Sequence, residues 1–127
     1  RTLVGALHAR ERLTREVERH FDARVAALLL PTVAVTAPAI GAAVVDVGDV
    51  SLPVAPAMAS FTLLADLTRM PAIAIPTGLA PDGLPVSVQI IGPVAYESRV
   101  LHIGHALETA LWPASQRVPA GIDADDS

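Results

Sequence analysis

The sequence holds no cysteine, which removes disulfides, thiolate nucleophiles and Cys-based metal sites from consideration. It holds no lysine either, so all 9 basic residues are arginine. A guanidinium keeps its charge in a protein, and Schiff-base chemistry or any step in which a lysine gives up its proton is therefore excluded within these residues. Aromatic residues make up 3% of the chain and charged residues 17%, so the core must be built from Ala, Val, Leu and Ile rather than from rings. No two glycines are adjacent and no serine stands in a G-x-S-x-G pattern. Neither a Gly-rich phosphate cradle nor a nucleophile elbow is present. The opening RTLVGALHARER lacks an apolar run followed by a cleavage site, which makes the cytoplasm the expected compartment.

What remains is a chain of 127 residues, 52% of them apolar, with a mean hydropathy of +0.50. That is a globular composition, and the length suits a single domain or a fragment of one. The net charge is −4, part of it from the tail at residues 120–127, read as a solvated acidic end. Arginines from Arg10 to Arg24 interleave with Glu11, Glu16, Glu18 and Asp22, which cancels the field a nucleic-acid backbone would need. The uncharged run from Val25 to Val45 is long enough to span a bilayer. Pro31, Pro38 and Gly41 interrupt it, so a strand followed by a loop is expected in place of a membrane span.

Periodicity predicts an amphipathic helix over residues 1–20 that runs on to about Ala27. Its buried stripe is Leu3, Leu7, Leu13, Val17, Phe21, Val25 and Leu28, and the charged residues take the solvent side. Leu28 to Leu30 reads as a short strand ending at Pro31. Thr32 to Pro56 reads as a long proline-punctuated connection packed against other elements. Ala57 to Thr68, apolar on nearly every side, reads as a buried helix. Strands follow at Ala72 to Ile75 and Val86 to Ile91, joined by a turn around Pro81, Asp82 and Gly83. A last helix spans about Tyr96 to Leu111, with Val100, Ile103, Gly104, Leu107 and Leu111 on one face and Trp112 and Pro113 ending it.

Reactive groups are sparse. His102, His105 and Glu108 have ligand-like spacing, yet they lie off the apolar face and read as solvated surface, as do His8 and His20. Asp46 and Asp49 fit local turn bonding as well as paired-carboxylate chemistry. Of Ser51, Ser60, Ser87, Ser98, Ser115 and Ser127, Ser87 lies mid-strand and is expected to bond locally. The residues thus assign no catalytic group, no metal and no cofactor to this chain, and identify no substrate-binding residue.

The run FTLLADLTRMPAIAIPTGLAPDGLPVSVQIIGP, followed by a helix containing Glu97 and ALE, resembles the C-terminal part of the amidase signature family. The family pattern is N-L-T-G-x-P-A-x-x-x-P-x-G, then G-L-P-x-G-x-Q, then I-G. Leu67, Thr68, Pro71, Ala72, Pro76, Gly78, Gly83, Leu84, Pro85, Gln89 and Gly92 fall in register. LLLPT at Leu28 to Thr32 resembles the strand before the family's proline-rich loop, and Trp112 its usual ending. The likeness extends over about Phe21 to Pro119. It implies an α/β fold, part of a mixed sheet flanked by helices, with a β-hairpin between two helices. It also implies an amide hydrolase whose serine nucleophile, bridging serine and lysine belong to a Gly/Ser-rich core absent here, so that the chain alone would be inactive.

Three positions depart from the pattern: Asp66 for Asn, Arg69 for Gly after L-T, and Ser87 for the second Gly of G-L-P-x-G. A glycine at position 69 would suit a left-handed helix end, so Arg69 implies a different cap or strain. Asp66 and Arg69 are expected to pair. The expected partner is the missing amidase core or, through exposed apolar surface around Leu28 to Val45 and Ala57 to Leu67, another copy of the chain. The other reading is a non-catalytic scaffold or interaction module that pairs with another chain.

Overall fold

The computed structural model describes residues 2–21 and 24–111; the acidic tail and the Trp112–Pro113 helix end lie outside the described residues. Helix α1 (Leu3–Glu18) starts where the Thr2 hydroxyl accepts from the Gly5 N–H, satisfying one of the free donors of the first turn. It is followed by β1 (Leu28–Pro31), β2 (Val44–Val47), β3 (Val50–Pro53), α2 (Val54–Ala59), α3 (Leu63–Thr68), β4 (Ala72–Leu79), β5 (Pro85–Ile91) and α4 (Glu97–Leu111). The α/β class and the hairpin between two helices are as the sequence implies.

The central sheet has the order β1-β5-β4, antiparallel throughout. Consecutive residues of β5 point to opposite faces, and this divides the core in two. Ile90 joins Ile75 and Val100, with Ile73, Val88, Ile103 and Leu107 packed around them, under α4. Ile91 joins Val17, Ala65 and Met70, with Leu28, Leu30 and Phe21 at the margin, under α1 and α3. Gly104 lets α4 approach the sheet closely, since a Cβ there would lie 3.3 Å from both Ile73 and Ile75.

Several elements differ from expectation. Helix α1 stops at Glu18, not near Ala27: His20 and Phe21 donate to the carbonyls of Val17 and Glu18 at 3.0 Å, a tightened final turn. Phe21 then turns into the core, which frees Leu28 to pair with Ile91 in β1. The predicted stripe is only partly covered, because Val17 is buried while Leu3 is 76% exposed.

The long connection contains a hairpin, β2–β3, whose two-residue turn places Gly48 at φ 60, a backbone shape that matches strand twist. The single helix expected over Ala57 to Thr68 is two. The hydroxyls of Ser60 and Thr62 donate to the carbonyls of Ala57 and Ala59 and compete with helix continuation between them. Those helices are also less buried than their composition suggests, with Leu63 46% and Leu67 45% exposed. Among the described residues no helix is long and apolar enough to cross a membrane.

Candidate functional site

The most constrained polar region lies where β1 leaves the sheet beside β4 and β5. Pro31 pairs with Val88, and one residue further on the Thr32 N–H donates to the Ser87 carbonyl at 3.1 Å. Gln89 is 3% exposed and its Nε2 donates to the Pro31 carbonyl at 3.2 Å, so a buried amide fixes the exit direction of β1. The Thr32 hydroxyl is buried and has no hydrogen-bond partner. Ser87 is half-buried, and the local side-chain bond expected for it is absent among the described residues.

The hairpin is shaped by its backbone. Pro76 pairs with Ser87 but Gly78 pairs with Val86, which leaves Thr77 as the extra residue of a bulge. Gly78 adopts φ 140 there, a conformation that a Cβ would strain. At the tip, Gly83 takes φ 80 and the Ala80 carbonyl accepts from its N–H at 2.9 Å. Asp82 Oδ1 accepts from the Leu84 N–H at 3.0 Å, and Oδ2 accepts from the Thr36 hydroxyl at 2.8 Å. The Leu84 amide first, and then the Thr36 hydroxyl, hold the Asp82 carboxyl below its ordinary value of 3.8. The hairpin tip is thereby tied to the segment that follows β1.

At the other end Gly92 is buried, and its N–H donates to the Pro71 carbonyl at 2.9 Å. A Cβ at Gly92 would come within 2.4 Å of Val100 Cγ2, so the glycine lets the chain pass under α4.

The remaining sequence candidates are not brought together. Asp46 accepts from Ser51 across β2–β3, and Ser60 bonds the Ala57 carbonyl. His8, His20, His102 and His105 are exposed, with His102 Nδ1 2.7 Å from the Ser98 carbonyl. Ser115 and Ser127 lie outside the described residues. Among the described residues no group of three or more His, Cys, Asp or Glu could hold a metal ion.

Asp66 and Arg69 do not form the expected ion pair. Arg69 ends α3 in the left-handed region, φ 58 and ψ 28, which removes it from the helical spacing that would set it over Asp66. The sequence singles out Gln89, Gly92, the Pro-Asp-Gly turn and LLLPT, which ends at Thr32, as pattern, but Thr36 carries none and the unpaired Thr32 hydroxyl has no sequence signal. Only the folded chain reveals them.

The hairpin, its bulge and the exit of β1 thus form one hydrogen-bonded unit. The Amidase family model matches residues 2–101. A fatty acid amide hydrolase of Medicago truncatula is 30% identical over 94 residues, 74% of this chain and 16% of that protein. A 6-aminohexanoate-cyclic-dimer hydrolase of Paenarthrobacter ureafaciens is 31% identical over 121 residues, 83% of this chain and 24% of the relative. Among solved structures, an amidase superposes with TM-score 0.75 at 31% identity, covering 80% of this chain and 23% of its own. The chain thus spans between 16% and 24% of the length of these relatives.

Proposed function

The chain belongs to the amidase family, and from that premise we propose that it is the C-terminal segment of a hydrolase acting on carbon–nitrogen amide bonds, inactive by itself. The observation that carries this reading is the pairing of a well-formed frame with an empty inventory. The hairpin, its bulge and the tied exit of β1 are built in detail, yet the sequence contains no lysine, and the carboxylate-bonded serine among the described residues, Ser51 on Asp46, is exposed on the separate β2–β3 hairpin. A serine–serine–lysine relay needs a base beside its nucleophile and amides for the oxyanion, so the relay has to come from residues outside these 127.

On this reading the protein acts in the cytoplasm and its partner is an amidase core. Without that core, the exposed Leu29, Ile40, Val44, Leu63 and Leu67 favour association with further copies of the chain. The test is labelling with a serine-directed fluorophosphonate, alongside hydrolysis of simple aliphatic and aromatic amides. The 127-residue chain is expected to take no label and to release no ammonia. Stoichiometric labelling of any of its six serines would overturn the proposal.

A further inference from the structure

Residues 2–9 of the chain are exposed throughout, although α1 half-buries Leu13 and buries Val17 one and two turns further on. An isolated pair of helical turns is marginal in water, and this pair carries Leu3 and Leu7 into solvent. Beside it runs a groove lined by Thr2, Gly5, Ala6, Ala9, Leu13 and Leu67, with Arg10 at its rim. Gly5, Ala6 and Ala9 are small enough to let another backbone come close, and Leu67 supplies an apolar wall from α3. The stripe that seals the core at Val17 therefore continues past the edge of the core with nothing laid against it.

We infer that this α1–α3 groove is the seat of an apolar segment from the part of the amidase fold that these residues lack. The inference rests on the amidase reading above. Its occupant follows from two observations. The chain superposes on a whole amidase with TM-score 0.75 while accounting for 23% of it, so its elements already hold the arrangement they have beside the rest of that enzyme. The groove is also continuous with the Val17, Ala65 and Met70 cluster, so filling it extends an existing core. Arg10 is the one charged residue of α1 in the lining, while Glu16 pairs with Arg19 at 3.5 Å in solvent further along, so little charge has to be covered when this face is buried against protein.

The experiment co-expresses the tagged chain with the solved amidase from which the matching segment has been deleted, so that neither part has to fold alone. Copurification at equal stoichiometry is expected, together with dispersal of the oligomers that the chain forms by itself. Ala6→Glu and Leu67→Glu, both at exposed positions that line the groove, should each lower recovery more than about tenfold, since they place a charge in a closed apolar seat. Leu111→Glu at the far end of α4 should leave recovery unchanged, and circular dichroism should show all three variants folded. Absence of copurification, equal recovery of the groove variants, or oligomers that persist beside the added core would overturn the inference; the last would make a second copy the occupant. If the complex forms through another face, the amidase reading survives and the groove assignment fails. Amide hydrolysis by the chain alone would instead sink the amidase-segment reading.

Discussion

Replacing Arg69 by glycine should stabilise the protein. Arg69 sits at φ 58 and ψ 28, directly after α3, where a side chain brings Cβ too near the following carbonyl at a cost of roughly 1–2 kcal/mol. The conformation is imposed by what it accomplishes. The N–H groups of Arg69 and Met70 both reach the Ala65 carbonyl, the latter at 3.3 Å, and Met70 then buries itself against Ala65, the hydrogen-bond and apolar pattern that closes a helix through a left-handed residue.

Two effects oppose the gain. The arginine charge near a helix C-terminus is worth roughly 0.3–1 kcal/mol, at its low end for a solvated side chain, and glycine adds freedom to the unfolded chain. A net stabilisation of about 1 kcal/mol remains, equivalent to a rise of about 3–5 °C in Tm for a domain of this size. Urea and thermal denaturation of wild type, Arg69→Gly and Arg69→Ala measure it. The alanine variant loses the charge and keeps the Cβ, so it should be no more stable than wild type. Equal gains from both variants would refute the backbone argument, and a loss from glycine would show that the arginine side chain has stabilising contacts absent from the structure.

Gly92→Ala should destabilise by about 1–3 kcal/mol through overpacking, because the new Cβ meets Val100, which is 3% exposed and enclosed; an unchanged urea midpoint would refute this. Ile90→Ala removes the side chain at the centre of the α4 cluster, where Ile90 is 1% exposed, and should cost about 2–5 kcal/mol in the same assay. Asp82 has a folded-state pKa held below 3.8, so its contribution is complete above that value and is lost as the pH falls through the lower, folded-state value. Asp82→Asn should therefore flatten the part of the acid stability profile that lies below pH 3.8; a profile identical to that of wild type would show that the Thr36 and Leu84 bonds do not favour the ionised carboxylate.

The elements legible in the sequence are those whose signals are local. Pro-Asp-Gly fixes the β4–β5 turn through a carboxylate bond to Leu84, and the spacing of Val100, Ile103, Gly104 and Leu107 finds α4 because all four face one sheet. The β2–β3 hairpin is hidden because Val44 and Val50 are exposed, so no polar-out alternation marks it. The break between α2 and α3 depends on two hydroxyls choosing carbonyls over solvent, a choice with no periodic trace. The coverage of α1 departs from expectation for a further reason: on the proposed reading its stripe records a core, and part of what covers that core is not in these residues. The candidate site divides in the same way. Gln89, Gly92 and Thr32 stand in patterns, whereas Thr36 gains its role from the hairpin tip alone.

The Arg69 departure shows how the frame and the chemistry come apart. A sequence in which arginine replaces glycine at a helix end suggests a changed cap, yet the chain keeps the left-handed geometry that glycine would have adopted freely. It does so because Thr68 and Met70, on either side, are both buried, with Thr68 donating to the Leu64 carbonyl at 2.7 Å. A residue held between two buried neighbours cannot relax its own φ without withdrawing one of them. The cost of the arginine is therefore borne as stability, while the path from α3 into β4, and with it the register of β4 on β5, is kept in place. The departure at Arg69 thus lowers stability and leaves the backbone path from α3 into β4 as it is.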